Sequence, residues 1–327
     1  MPLIGAAWVI SGALILIIGA GALFPVIDPW IVEIAARQKA LVLEAVERGH
    51  VSAYPLAAFH ASVWVFAVIL VRPLLMLGIV VVIETILVPG NRVDEGRKLA
   101  WTVRAGFLVI SYLVGLALNR SLPVLPAPLF DFADAASPTG FRMLEMALLF
   151  LLSMLAMDFC QYWAHRAYHR FPILWKFHSV HHAPRRLNAL HHFQHPVEGV
   201  ASWFLIALPA NLLITGVDPT QFSMLAAFFL VQNHLVHTNA PVHLGPLGRV
   251  LVDNRYHFIH HSRDPRHFNT NFAAVTPLFD HLFGTHRAPS GNILPETGLN
   301  DRLQPNRLSH YLLAYLPEDP PVERRPD

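Results

Sequence analysis

The chain has 327 residues, of which 54% are hydrophobic and only 14% charged, and its formal net charge is +2. With a mean hydropathy of +0.42, this composition is typical of a membrane protein with several spans. The small net charge gives no support to a nucleic-acid partner. The single cysteine, Cys160, excludes an internal disulfide and a thiolate-rich zinc or iron–sulfur site.

Three apolar stretches predict membrane spans in the first part of the chain. Residues 3–25 carry no charge and are long enough to cross about 30 Å of hydrocarbon. A signal peptide is the alternative for this stretch, but no basic segment precedes it. Residues 57–88 predict one helix kinked near Pro73, although two shorter re-entrant pieces also fit. A third span is expected at about residues 101–118.

The second part of the chain alternates apolar and histidine-rich segments. A fourth predicted span, Met143–Met157, continues directly into DFCQYWAHRAYH, so its helix is expected to project beyond the bilayer. Gly199–Val217 and Phe222–Val236 form an apolar pair that either crosses the membrane and returns or only dips into it. The segments on either side of this pair are rich in arginine, which predicts a cytoplasmic location for them. The expected fold is all-α and polytopic, with about four to six transmembrane or re-entrant helices and a cytoplasmic helical cap.

Histidine is unusually frequent, with 20 residues. Ten of them lie in four short clusters whose spacings of three or four residues put side chains on one face of a helix. Imidazole suits iron, zinc, copper and nickel, and ten imidazoles exceed what one ion can bind. The pattern therefore predicts a dimetal site with about five ligands for each ion, one half-site before the apolar pair and the other from His234 to His261, brought back by that pair. The candidate ligands are His165, His169, His178, His181, His182, His234, His237, His257, His260 and His261.

Several neighbouring side chains could orient these ligands and offset the charge of the ions. The candidates are Asp158, Glu198, Asp253 and Asp280, and His195 is either such a group or a direct ligand. For Asp280 a simple salt bridge is an equally good interpretation. His191 and His192 lie in the same dense stretch but remain unassigned.

Several kinds of metal chemistry are open to such a site. A membrane zinc protease would show HExxH, which is absent, and soluble di-iron oxygenases use glutamate ligands on bundle helices. Two iron ions near a lipid phase suggest oxygen activation against an unreactive C–H bond. The alternatives are a non-enzymatic protein that binds or transports metal and a membrane zinc hydrolase. Transport is disfavoured because few ionisable residues, Arg72 and Arg104 among them, lie within the predicted spans.

The motifs HRAYH, HSVHH, HPVE, HTN and HFIHH, the last followed by NTNFAAVTPLFDHLFGT, resemble the fatty acid hydroxylase / sterol desaturase superfamily over roughly residues 142–290. The resemblance implies a helical membrane enzyme whose di-iron centre uses O2. It also implies a separate electron donor, a reductase with a cytochrome b5-like or ferredoxin-like protein. The substrate would be a sterol-like or fatty acyl lipid that is hydroxylated or desaturated. The domains expected are an N-terminal membrane part (1–120), the catalytic domain (121–290) and a polar tail (291–327).

Overall fold

The computed structural model describes residues 142–192, 195–207, 209–210, 214–215, 228–229, 231–239, 244–290, 294–299 and 308–314, together with residues 44, 48, 103, 106, 107, 110, 130 and 131. The spans predicted over residues 3–25, 57–88 and 101–118 lie wholly or largely outside these residues, whereas the apolar pair is described in part. The described part is mostly helical, as predicted.

The longest element is helix α1, Arg142–Arg170, which runs without a break for 29 residues. The predicted fourth span does therefore continue as helix through HRAYH. Leu148, Leu151 and Leu152 point outward from its first half. Within the described residues, one helix, Ala147–Arg170, is long and apolar enough to cross a membrane by length and composition.

Helix α2, Pro172–His182, follows α1 after a single extended residue, Phe171. Pro172 suits the first helical position because it has no N–H to leave unpaired there. A short 3₁₀ turn, Ala189–His192, leads to helix α3, Pro196–Ser202, which continues into a π-helical turn, Trp203–Ala207. Such turns lengthen and deform the helix locally.

The remaining elements are short. Residues 231–237 form helix α4, and a 3₁₀ turn, Gly245–Arg249, precedes helix α5, Asn254–His260. A further 3₁₀ turn, Pro265–His267, follows α5, and helices α6, Leu278–Leu282, and α7, Leu308–Leu312, lie later in the chain. A departure from the expected all-α fold is a two-residue parallel pairing of strands β1, Phe130–Asp131, and β2, Ile214–Thr215.

The second half of α1 is surrounded on several sides. Tyr162 is fully buried against Phe272, which lies in the loop before α6, and Phe279, which lies on α6. On another side, Tyr168 packs in a cluster with Ile206 at the π-helical turn. Complete burial of a large apolar side chain stabilises a fold by roughly 1.5–3 kcal/mol. These contacts leave the remaining face of α1, which carries His165 and His169, directed at α2 and α5.

A candidate metal centre built from histidines

Nine of the ten predicted histidines converge in two groups, and the ligand atoms within each group lie within 4.8 Å of one another. The first group comes from helices α1, α2 and α5. The second group comes from helices α2, α4 and α5 and from the residue that follows α5. The first group is His165, His169, His178, His182 and His260; the second group is His181, His237, His257 and His261.

Each HxxHH motif serves both groups. In α2, His178 and His182, four residues apart, join the first group while His181 joins the second. In α5 the arrangement is reversed, because His260 joins the first group. Residues i and i+4 are nearly in line along a helix, whereas residue i+3 is rotated to one side of that line. The expectation of one half-site before the apolar pair and the other from His234 to His261 is therefore wrong, because the two groups are interleaved.

The Nε2 atoms of the first group meet at short distances. The Nε2 of His182 lies 3.1 Å from that of His169 and 3.1 Å from that of His260. In the second group, the Nε2 of His257 lies 2.9 Å from that of His237 and 3.1 Å from that of His261. Metal–nitrogen bonds of about 2.1 Å at right angles would separate two ligand atoms by about 3.0 Å. The spacing of the donor atoms thus fits a metal ion in each group.

The outer ring nitrogens show which tautomer several of these histidines adopt. The Nδ1 of His165 donates to the carbonyl of Phe272 at 2.8 Å, and the Nδ1 of His260 donates to that of Thr270 at 2.9 Å. A carbonyl can only accept, so Nδ1 carries the proton and Nε2 presents a lone pair inward. Lone pairs that face one another at about 3 Å repel, and a cation between them would relieve that repulsion.

Burial keeps the imidazoles neutral. It lowers the pKa of the six group members on α2, on α5 and at the residue after α5 well below the usual value, and repulsion from neighbouring imidazoles lowers it further. Neutral imidazole is the form that binds metal. Eight of the nine rings are buried, and only His169 is partly exposed.

Glu198 contacts a histidine of the first group, as the sequence led us to expect. Its carboxylate lies 2.5 Å from the Nδ1 of His178, and it also accepts the backbone N–H of His195. Burial raises the pKa of Glu198 to about 8, partly offset by that backbone hydrogen bond. A cation at His178 would favour the ionised carboxylate and hence a proton on Nδ1. Glu198 is therefore placed to orient His178.

Asp158 and Asp280 act on a loop rather than on imidazoles. Asp158 accepts the backbone N–H groups of residues 274, 275 and 276. Asp280 accepts those of residues 272 and 273 and the hydroxyls of Tyr256 and Thr285. This loop includes the carbonyl of Phe272, the acceptor for His165. The expected imidazole contacts of these two carboxylates are therefore wrong; both position His165 indirectly, by fixing its acceptor.

Asp253 and His195 cap helices. Asp253 accepts the backbone N–H of Tyr256 at the start of α5 and pairs with Arg255. The Nδ1 of His195 accepts the backbone N–H of Val197, which with Glu198 completes a capping box at α3. Direct contact of His195 with a metal is not supported by this position.

His234 is the one predicted ligand outside both groups. It is buried, its Nδ1 donates to the carbonyl of Ala189 at 2.7 Å, and its ring lies beside that of His192. The ring of His192 in turn lies 5.9 Å from that of His237. His192, which the sequence left unassigned, therefore belongs to the surroundings of the second group. The carbonyls that accept imidazole N–H groups carry no signal in the sequence.

Comparison with known proteins gives one consistent result. A family model described as fatty acid hydroxylase matches residues 150–285, a range that contains all nine histidines. The chain is 31% identical to an alkylglycerol monooxygenase of Danio rerio over 47% of this chain and 35% of that protein. It is 29% identical to the ornithine lipid hydroxylase of Rhizobium tropici over 61% of this chain and 59% of that protein. A very-long-chain aldehyde decarbonylase of Arabidopsis thaliana is 25% identical over 60% of this chain and 30% of that protein.

The match is partial in every case. The chain spans between about a third and three fifths of the length of these curated relatives. No solved structure matches it. The family model thus covers the segment that holds the histidine groups, and much of each relative is left unmatched.

Proposed function

We propose that this chain, whose residues 150–285 match the fatty acid hydroxylase family model and which is similar to an alkylglycerol monooxygenase and an ornithine lipid hydroxylase, is an O2-dependent di-iron oxidoreductase that hydroxylates or desaturates a lipid. One observation carries the proposal: nine histidines, from four helices and the residue after α5, form two adjacent groups, and the donor atoms within each group lie within 4.8 Å of one another. No simpler structural role requires so many buried imidazoles with their lone pairs facing inward.

The protein's own residues would bind, orient and shield the two ions. The nine grouped histidines are the proposed ligands, and the buried setting of eight of them keeps water away from the centre. Glu198 and the loop carbonyls hold the ligand rings by their outer N–H groups. When bound, two iron ions would supply the activation of O2 for attack on an unreactive C–H bond.

The names of the related proteins support a lipid substrate. The relatives are named for alkylglycerol, ornithine lipid and very-long-chain aldehyde. The helix Ala147–Arg170 has the length and apolar character needed to anchor the site at a membrane. We propose a multi-pass protein with the metal site on the cytoplasmic face, and with membrane, catalytic and tail parts over residues 1–120, 121–290 and 291–327. Electrons would come from a separate reductase system.

Comparative lipid mass spectrometry tests this function. Cells with the gene should contain a lipid that differs by one added oxygen or two lost hydrogens from its precursor in cells without the gene. A His182→Ala variant should behave like the deletion, because His182 lies at the centre of the first group. A His281→Ala variant, which changes an exposed histidine outside both groups, should restore the lipid. Identical lipids in all four strains would contradict an oxidative role and favour metal binding or transport.

A further inference from the structure

A cavity of about 660 Å³ opens beside His169. His169 is the one partly exposed member of the nine grouped histidines, and it lines this cavity. A ligand in the cavity would therefore lie beside the first histidine group. A volume of this size is typical of a small-ligand site. Its lining includes Trp163, Arg166, Arg170, Phe171, Asn269 and Phe272.

Two arginines give one side of the cavity a positive charge. The guanidinium of Arg166 donates to the hydroxyl of Tyr162 at 3.0 Å and lies 5.5 Å from the ring centre of Trp163. Arg170, in the last turn of α1, is exposed. Among the described residues, neither arginine forms a salt bridge with a carboxylate. Their charge is therefore available to an anion from outside the chain.

The other walls of the cavity are apolar. Trp163 and Phe171 are large hydrophobic residues that remain 42% and 54% exposed. The ring of Phe272 lies 5.3 Å from that of His169, so the apolar wall leads directly to the first histidine group. A ligand that fits both parts is an amphiphile with a negative charge at one end.

The position along α1 agrees with this chemistry. Arg166 and Arg170 lie at the end of the segment that could span a membrane, Ala147–Arg170. Basic and aromatic side chains at the end of such a helix lie at the level of the lipid head groups. A lipid could therefore enter the cavity by its head group while most of its chain stays in the bilayer.

We propose that this cavity binds an anionic lipid through its phosphate or carboxylate, with Arg166 and Arg170 as the binding residues. Arginine suits this role because its planar fork of donors matches both anions. The inference rests on the proposed function and makes it more specific. The carbons that follow the head group lie against Phe272 and His169, so the oxidised carbon is near the head group rather than near the chain end.

Equilibrium binding to the full-length protein in neutral detergent tests the proposal. The probes are radiolabelled hexadecyl phosphate and hexadecanol, which share a chain and differ in charge. We expect hexadecyl phosphate to bind about ten- to a hundredfold more tightly than hexadecanol, because it forms charge-assisted hydrogen bonds with the arginines. The variant Arg166→Gln/Arg170→Gln should lose this preference, whereas Arg166→Lys/Arg170→Lys should retain most of it.

Two further variants serve as controls. Arg249→Gln/Arg287→Gln removes the same charge from exposed residues that do not line the cavity, and it should bind like the unchanged protein. The double variant Arg166→Gln/Arg170→Gln also loses the contact of Arg166 with Tyr162, which would impair its folding. Arg170→Gln alone keeps that contact and should still bind hexadecyl phosphate more weakly than the unchanged protein. Equal binding of the two probes, or no effect of the glutamine variants, would overturn the proposal.

Two additional measurements distinguish a failure of the lipid assignment from a failure of the proposed di-iron function. Inorganic phosphate that competes at the same concentration as hexadecyl phosphate would indicate a site for the free anion and would overturn the assignment to a lipid. Iron content is measured on each sample. An absence of iron would contradict the proposed di-iron function, whereas the comparison between the two probes would still decide whether the cavity selects an anionic lipid.

Discussion

The imidazole rings of His182 and His261 are stacked, with their centroids 4.2 Å apart and their planes at 21°. His182 belongs to the first histidine group and His261 to the second. The two groups are therefore in direct contact, and each HxxHH motif contributes to both. A change in one of these helices is expected to disturb both groups rather than one.

Two histidines on α4 provide a matched test of the ligand assignment. Only His237 lies in a histidine group; His234, three residues earlier, contacts the carbonyl of Ala189 instead. We expect His237→Ala to lower the metal content strongly and His234→Ala to leave most of it. Elemental analysis of the two purified variants checks this. An equal loss in both would assign a ligand role to His234.

Replacing Glu198 by glutamine should weaken metal binding. The change removes the negative charge at 2.5 Å from the Nδ1 of His178, and changes in groups that orient a ligand typically reduce metal affinity by about 10- to 100-fold. A chelator titration measures this loss. Asp264→Asn, which changes a carboxylate paired with exposed Arg266, is the control. If both variants release metal at the same chelator concentration, Glu198 has no special role.

Asp158→Asn should loosen the loop at residues 274–276. An amide nitrogen cannot accept the backbone N–H groups that the carboxylate now accepts, and a hydrogen bond to a charged group contributes about 1.5–3 kcal/mol. We expect a lower thermal midpoint and, because the neighbouring carbonyl of Phe272 holds His165, weaker metal retention. Ser153→Ala is the matched control on α1, since the buried Ser153 hydroxyl has no hydrogen-bond partner in the described part of the chain. Equal midpoints for the two variants would argue against this role of Asp158.

Acid should destabilise the metal-free protein. In the folded state burial lowers the pKa of the grouped histidines at residues 178–182 and 257–261, including His182 and His261, whereas in the unfolded state they titrate near pH 6.5. Below about pH 6.5 the unfolded chain therefore binds more protons, and the free energy of unfolding falls as the pH falls. Thermal midpoints measured from pH 7.5 to 5 check this. His182→Gln/His261→Gln should show a weaker pH dependence, and a midpoint independent of pH in the unchanged protein would contradict the account.

The histidine spacing predicted the site well because ligand geometry follows from helix geometry. Positions 178, 181 and 182 had to share one side of a helix, and α2 shows that they do. Spacing could not show that His181 and His182 would serve different groups, because that depends on how α2 packs against α5. It also could not separate His234 from His237, since both lie on one helix and only tertiary contacts distinguish them.

The acidic residues illustrate a different limit. A carboxylate in a histidine-rich sequence suggests an imidazole partner, and Glu198 has one. The partners of Asp158 are backbone N–H groups more than 110 residues further along the chain, and backbone groups leave no trace in the residue pattern. The arginines of HRAYHR were equally hard to interpret, because only the fold places Arg166 and Arg170 at the cavity beside His169.

The metal content of protein purified without added metal tests the central claim most directly. Elemental analysis combined with Mössbauer spectroscopy should find about two iron ions per chain as a coupled pair, and His182→Ala should lose both because its ring contacts both groups. A protein with no iron, or with one isolated iron per chain, would contradict the di-iron centre.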